Sequence, residues 1–186
     1  MDRNKFHYMS GAALFAGIMA VLSQFAFPVG AVPVTLQTFV CAFAGGVLGW
    51  KWGAVSISVW LLLGALGVPI TMGKAGVGIF LSPVGGYYIG FILMAGFSGI
   101  YLKEKSRFFT QGVFALLGLI LCYALGTVWF MMYFSLGLGK GMPLWTALTM
   151  TVFPFIGFDL IKVAAGVFCG IRIQKALRNA GLFLNE

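Results

Sequence analysis

The chain has 186 residues, of which 61% are apolar and 9% charged, and its mean hydropathy is +1.02. A soluble domain carries about 25% charged and 45–50% apolar residues, so a soluble globular protein is excluded and an integral membrane protein is expected. The net charge of +8 comes from basic residues gathered at the ends of apolar runs, the footprint of membrane topology and not of nucleic-acid binding.

The apolar runs are continuous, which predicts transmembrane helices and argues against a β-barrel of alternating strands. Met1–Tyr8 carries Arg3 and Lys5 and leads into a first helix expected over 9–27. No small-x-small cleavage signal leads into a polar mature region, so this helix is expected to be retained. On it Ala12, Ala16 and Ala20 recur every fourth residue and form a smooth stripe for close helix approach. Spacing alone leaves two uses open: packing within the protein, or docking of a separate membrane subunit.

Pro28 and Pro33 interrupt the helix and leave an apolar loop ending in Thr35 and Gln37. A loop this apolar does not float in water, so it is expected to fold over a cavity. Helices follow at 36–48 and 53–66, with Gly45 and Gly49 in GxxxG spacing and Trp50-Lys51-Trp52 as an interface anchor. The segment from Gly67 to Pro83 is irregular, and Gly73, Gly76 and Gly78 surround Lys74. Such glycines permit positive φ and close approach to a ligand, although a plain connector uses them too. No GxxxxGK[ST] pattern surrounds Lys74 or Lys140, so this is not a nucleotide loop. The remaining helices are expected over 84–102, 111–136 and 144–171, with a charged connector at Lys103-Glu104-Lys105-Ser106-Arg107.

Six helices place both termini on one side as a single domain over 1–186. Nine of the twelve basic residues fall on that side, only Lys74 and Lys140 fall opposite, and Lys162 lies within the membrane. The excess assigns both termini to the cytoplasm and the two irregular loops to the outer face.

Asp159 and Lys162 are the only charges in the final run. Three residues apart, they share one face of a helix. A charge at bilayer depth costs roughly 2.5–3.5 kcal/mol on insertion scales, so the pair is expected to face a polar cavity roughly 20 Å from the start of the helix at 1.5 Å per residue. A structural ion pair is one reading. The other is a recognition pair for a small molecule with N–H donors and an anionic tail, helped by Thr35 and Gln37, with Tyr87, Trp129 or Tyr133 as an apolar wall.

Enzyme chemistry finds little support. His7 is the only histidine, and Asp2, Glu104 and Glu186 lie outside the apolar runs, which leaves no intramembrane Asp dyad. Cys41, Cys122 and Cys169 are isolated in apolar runs and read as small buried residues, not as metal ligands.

Four motifs, Val32-Pro33-Val34-Thr35-Leu36-Gln37, Leu62-Leu63-Gly64-Ala65-Leu66-Gly67-Val68-Pro69, Ser82-Pro83-Val84-Gly85-Gly86-Tyr87-Tyr88-Ile89-Gly90-Phe91 and Asp159-Leu160-Ile161-Lys162, closely resemble the BioY proteins. These are biotin-specific substrate-binding (S) components of energy-coupling-factor (ECF) transporters. The likeness covers nearly the whole chain. The resemblance implies a six-helix S-component fold in a prokaryotic plasma membrane, capturing biotin from outside. It also implies association with a transmembrane coupling subunit and two cytoplasmic ATPases. It carries substrate contacts directly to Asp159 and Lys162 and docking to Ala12, Ala16 and Ala20, and Gln37, Thr35, Gly76, Gly78 and Tyr87 are the further candidate contacts. No cofactor or metal is implied. Asp159 would accept ureido N–H bonds, while Lys162 would either meet the tail carboxylate or orient Asp159. An S component for thiamine or riboflavin is the alternative within the class, though Lys162 argues against a cationic vitamin. A stand-alone carrier or channel is the alternative outside it.

Overall fold

The computed structural model describes residues 3–29, 32–71, 73–100, 107–137, 139 and 141–182. Met72, the connector residues Lys103, Glu104, Lys105 and Ser106, and Lys140, Asp2 and Glu186 lie outside the described residues.

The first helix, α1, runs Arg3–Leu22, so it starts earlier than expected and stops before Phe27. Its end is set by polar side chains. Ser23 donates back to the Met19 carbonyl, and Gln24 Nε2 donates to the Ala20 carbonyl at 3.0 Å, which satisfies carbonyls the helix leaves open. The proline-bounded loop is a β-hairpin: β1 (Ala26–Val29) pairs antiparallel with β2 (Val32–Thr35). Pro28 stands opposite Pro33 in the ladder, and an isolated hairpin tolerates this because it has no inner strand to feed.

The next helix, α2, spans Gln37–Ala65 but is broken at Gly49, whose φ of 79° and ψ of 179° are not helical. Residues 45 and 53 would be about 12 Å apart along one straight helix. Here a Cβ on Gly53 would lie 2.9 Å from the Gly45 Cα, so the chain folds back at Gly49. The arms 37–48 and 50–65 are therefore the second and third helices expected from the sequence. Gly49 belongs to the turn, not to a packing face.

The chain continues through the turn Val77–Ile79 into α3 (Gly85–Ser98), α4 (Arg107–Met132) and a π-turn at Tyr133–Gly137. The last expected helix is divided into α5 (Leu144–Thr151) and α6 (Ile156–Asn179), bent by 54°. Pro154 lies in the break; it has no N–H and its ring obstructs the preceding turn.

The first arm of α2 is central. It packs against α1, α3 and α6, while α3 packs against α4. Gly46 lets α6 come close, since a Cβ there would lie 3.0 Å from the Gly170 Cα. The arm and α6 both run away from the hairpin end, so Thr38 and Asp159 are brought level near their starts.

Ala12 and Ala16 are 3% and 1% exposed and belong to the core, with Ala20 packed against it. The alanine stripe is therefore turned toward α1's own contact with α2, the packing use that its spacing left open. The outward small residues of α1 are Ala13 and Gly17, and a Cβ on Gly17 would meet nothing within 4 Å.

Candidate ligand-binding site

At the hairpin end, β2, the first arm of α2, α3, α4, the α5–α6 break and α6 line a partly open hollow of about 70 Å³. Asp159 and Lys162 are on its wall. Because the helix restarts at Ile156, Asp159 stands in the first turn of α6 and is not carried deep along a continuous helix. Its charge therefore meets the positive end of the helix dipole, worth about 0.3–1 kcal/mol.

Asp159 is 5% exposed and fully partnered. Its Oδ1 accepts from the Thr38 hydroxyl at 2.9 Å, its Oδ2 accepts from the Tyr123 hydroxyl at 2.5 Å, and Lys162 forms an ion pair with it. Lys162 Nζ also donates to the Thr35 carbonyl at 2.7 Å, which ties α6 to the hairpin. Thr35 Oγ1 donates to Gln37 Oε1 at 2.7 Å. Gln37 Nε2 reaches the hydroxyls of Ser23 at 3.3 Å and Thr71 at 3.4 Å. The polar groups thus form a continuous network across one side of the hollow.

Much of the remaining lining is aromatic. Tyr87, Tyr88, Phe91 and Phe155 supply it, and the Tyr87 hydroxyl donates to the Thr151 carbonyl at 3.3 Å. Trp129 does not line the hollow; its indole N–H donates to the Ser82 carbonyl at 2.9 Å. Tyr133 lies in the π-turn, edge-on to Phe134. Cys41 and Cys122 are buried, and Cys122 Sγ is 3.8 Å from the Tyr87 carbonyl.

The structure thus gathers Asp159, Lys162, Gln37, Thr35 and Tyr87 around one space. Gly76 and Gly78 are not there. Gly76 has φ 81° at the start of the 77–79 turn, and its N–H is bonded to the Gly64 carbonyl at 2.7 Å. Gly78 is exposed. The glycines shape the loop, and the residue the loop sends into the hollow is Thr71, 3% exposed. Gln24 links this loop to the hairpin region, donating to the Pro69 carbonyl and accepting from the Gly73 N–H, both at 3.0 Å.

Sequence reading did not single out Thr38, Thr71, Tyr123 and Thr151. Tyr123 was detectable as a lone phenol amid the apolar residues of α4, and Thr38 as the neighbour of Gln37. Thr71 and Thr151 carried no signal, because loop and helix threonines are common.

Beside the hollow lies an apolar groove of about 450 Å³, lined by Phe25, Phe27, Leu36, Phe158 and Ile161. The two spaces share Val34, Thr35 and Lys162. Lys162 therefore stands at their junction.

A helical membrane protein with a partly open, aromatic-lined hollow, one carboxylate and one ammonium on its wall, is built as a binding protein for a small amphiphilic molecule. The chain belongs to the BioY family, whose model matches residues 2–179. It is 33% identical over 165 residues to the biotin transporter BioY of Thermotoga maritima, covering 88% of this chain and 94% of that one. It is 36% identical over 167 residues to a probable biotin transporter BioY of Pyrococcus horikoshii, covering 89% and 95%. A crystal structure of the S-component for biotin from an ECF-type ABC transporter superposes with a TM-score of 0.80 at 30% identity, covering 94% of each chain.

Proposed function

We propose that this protein is the biotin-specific S component of an ECF-type transporter, resident in a prokaryotic plasma membrane and taking biotin from outside. The observation that carries the reading is the placement of Asp159 and Lys162 on the wall of a hollow roofed by the hairpin, in a chain of the BioY family.

Biotin offers two ureido N–H donors, an apolar bicycle and a carboxylate tail. Asp159 accepts the ureido N–H groups in a charge-assisted contact. Tyr87, Tyr88 and Phe91 hold the bicycle. Lys162, at the junction with the outer groove, takes the tail carboxylate. Thr38 and Tyr123, both bonded to Asp159, position its carboxylate. A hollow of about 70 Å³ is smaller than the roughly 300 Å³ of a small ligand pocket. Biotin therefore takes its place by displacing Lys162 from Asp159 and by moving the hairpin outward from α6.

Transport is powered by two cytoplasmic ATPases through a transmembrane coupling subunit. We assign docking of that subunit to the outward face of α1 at Ala13, Gly17 and Val21, which borders an apolar groove. Small residues there let a partner helix approach closely.

Binding of biotin, thiamine and riboflavin to the purified protein tests the reading. Biotin alone is expected to bind, and equal or stronger binding of either other vitamin overturns it. Uptake by reconstituted vesicles is expected to require the ATPase module. For docking, Gly17→Leu should abolish co-purification with the coupling subunit and leave biotin affinity unchanged, whereas Ala16→Leu should instead cost fold stability of about 2 kcal/mol by overpacking. An intact complex with Gly17→Leu refutes the docking face.

A further inference from the structure

A second hollow, of about 200 Å³, lies at the end of the molecule opposite the hairpin. Tyr8 of α1, the α2 turn at Trp50, Lys51 and Trp52, and Gln174 and Arg178 of α6 line it. Its polar groups are unlike those of a packing defect. Gln174 is 5% exposed, and its side-chain oxygen is buried without a hydrogen-bond donor. Buried acceptors are ordinarily satisfied, and one left open calls for a donor. Lys51 lies over the Trp50 ring at 5.5 Å. Asp159, at the other end, is the one carboxylate among the described residues. Arg172, Lys175 and Arg178 add positive charge on α6. Tyr8 and Trp52 stack at 6.0 Å and 7°, which makes part of the wall flat and stiff.

The depth of this hollow is set by its tryptophans, which concentrate at the headgroup level of a bilayer. The charge asymmetry assigns this face to the cytoplasm, where anionic lipids attract basic clusters. An unsatisfied acceptor asks for an N–H or O–H, and the exposed Lys51 ammonium suits a phosphate. At headgroup depth one molecule supplies both: a phospholipid whose phosphodiester ends in an amine or a hydroxyl. A choline headgroup supplies the phosphate but no donor.

We propose that this hollow binds the headgroup of phosphatidylethanolamine or phosphatidylglycerol. The phosphate lies against Lys51 and Arg178, and the terminal N–H or O–H is donated to Gln174 Oε1. The bound headgroup bridges the α2 turn and the C-terminal part of α6. The inference does not depend on the biotin reading, because it uses none of the residues at the hairpin end.

The test is thermal unfolding of the purified, delipidated protein in bilayers of phosphatidylcholine alone or doped with each of the two lipids. Native mass spectrometry of retained lipid accompanies it. Phosphatidylethanolamine and phosphatidylglycerol are expected to raise the unfolding temperature by several degrees over phosphatidylcholine and to stay bound in the spectrometer. Gln174→Leu and Lys51→Ala should each lose most of that rise while biotin affinity stays unchanged. Lys51 is exposed, so its variant reports even if Gln174→Leu folds poorly. An equal rise with phosphatidylcholine, or a full rise in Lys51→Ala, overturns the proposal. Soluble glycerophosphoethanolamine forms a control arm: no rise is expected, and a rise equal to the lipid's counts against the membrane as the source.

Discussion

Two charges are buried among the described residues, Asp159 at the hairpin end and Arg107 at the other, at 5% and 4% exposure. They are partnered differently. Arg107 donates to the Gly46 carbonyl and to Gln111 Oε1, each at 3.2 Å, and Gln111 in turn donates to the Ser98 carbonyl at 3.3 Å. Two of these acceptors are helix backbone, which cannot leave without unwinding α2 or α3. Asp159 is held by two hydroxyls that rotate and by a lysine whose stem is flexible. The first arrangement pins α4 to α2 and α3. The second can exchange its partners for those of a guest. A buried charge is thus structural when its bonds end on backbone, and available for recognition when they end on mobile side chains around a hollow.

The largest effect is expected where the bonds are fixed. Arg107→Ala strips the Gly46 carbonyl and Gln111 of a charged donor, and should lower stability by about 3 kcal/mol in thermal or denaturant unfolding. The folded fraction should bind biotin with unchanged affinity. A comparable loss of affinity would erase the distinction between the two ends. Asp159→Asn keeps the shape and removes the charge. A charge-assisted bond is worth about 2 kcal/mol, so calorimetric titration should show biotin binding weakened about 30-fold, with little change in unfolding temperature.

Smaller changes sharpen the roles inside the site. Lys162→Ala should weaken biotin about tenfold, or about 1.4 kcal/mol, and leave binding of biotin amide nearly unchanged, since the amide has no carboxylate to meet. An equal loss for both ligands would move Lys162 from the tail to the support of Asp159. Tyr123→Phe removes one hydroxyl from Asp159 and should cost about 1 kcal/mol of binding. An unchanged dissociation constant would leave Thr38 as the sole positioning hydroxyl.

Much of the fold was legible in the sequence because helix formation in lipid is a local property. A continuous apolar run must satisfy its backbone internally, and it reads as a helix whatever it packs against. The turn at Gly49 followed from Trp50-Lys51-Trp52 at the interface. The closeness of Asp159 and Lys162 on one face followed from their spacing alone. The loop ending in Thr35 and Gln37 was expected to fold over a cavity, and β2 does line the hollow. The break at Pro154 was also present in the sequence, but the apolar run on both sides of it masked it.

Other features existed only after packing. Thr38 and Tyr123 are 121 and 36 residues from Asp159 along the chain, and no periodicity announces that they meet. The alanine stripe of α1 was visible, but which way it turned was not: small residues favour close contact with any helix, and here α2 took that face. Gly76 and Gly78 signalled backbone freedom, which shaped a loop without turning toward the site. Composition and spacing determined the class of protein, its helices and the pairing of Asp159 with Lys162, because these depend on neighbours along the chain. Only the tertiary structure decided which side chains surround that pair and which faces remain open to partners, because those depend on contacts between segments far apart in sequence.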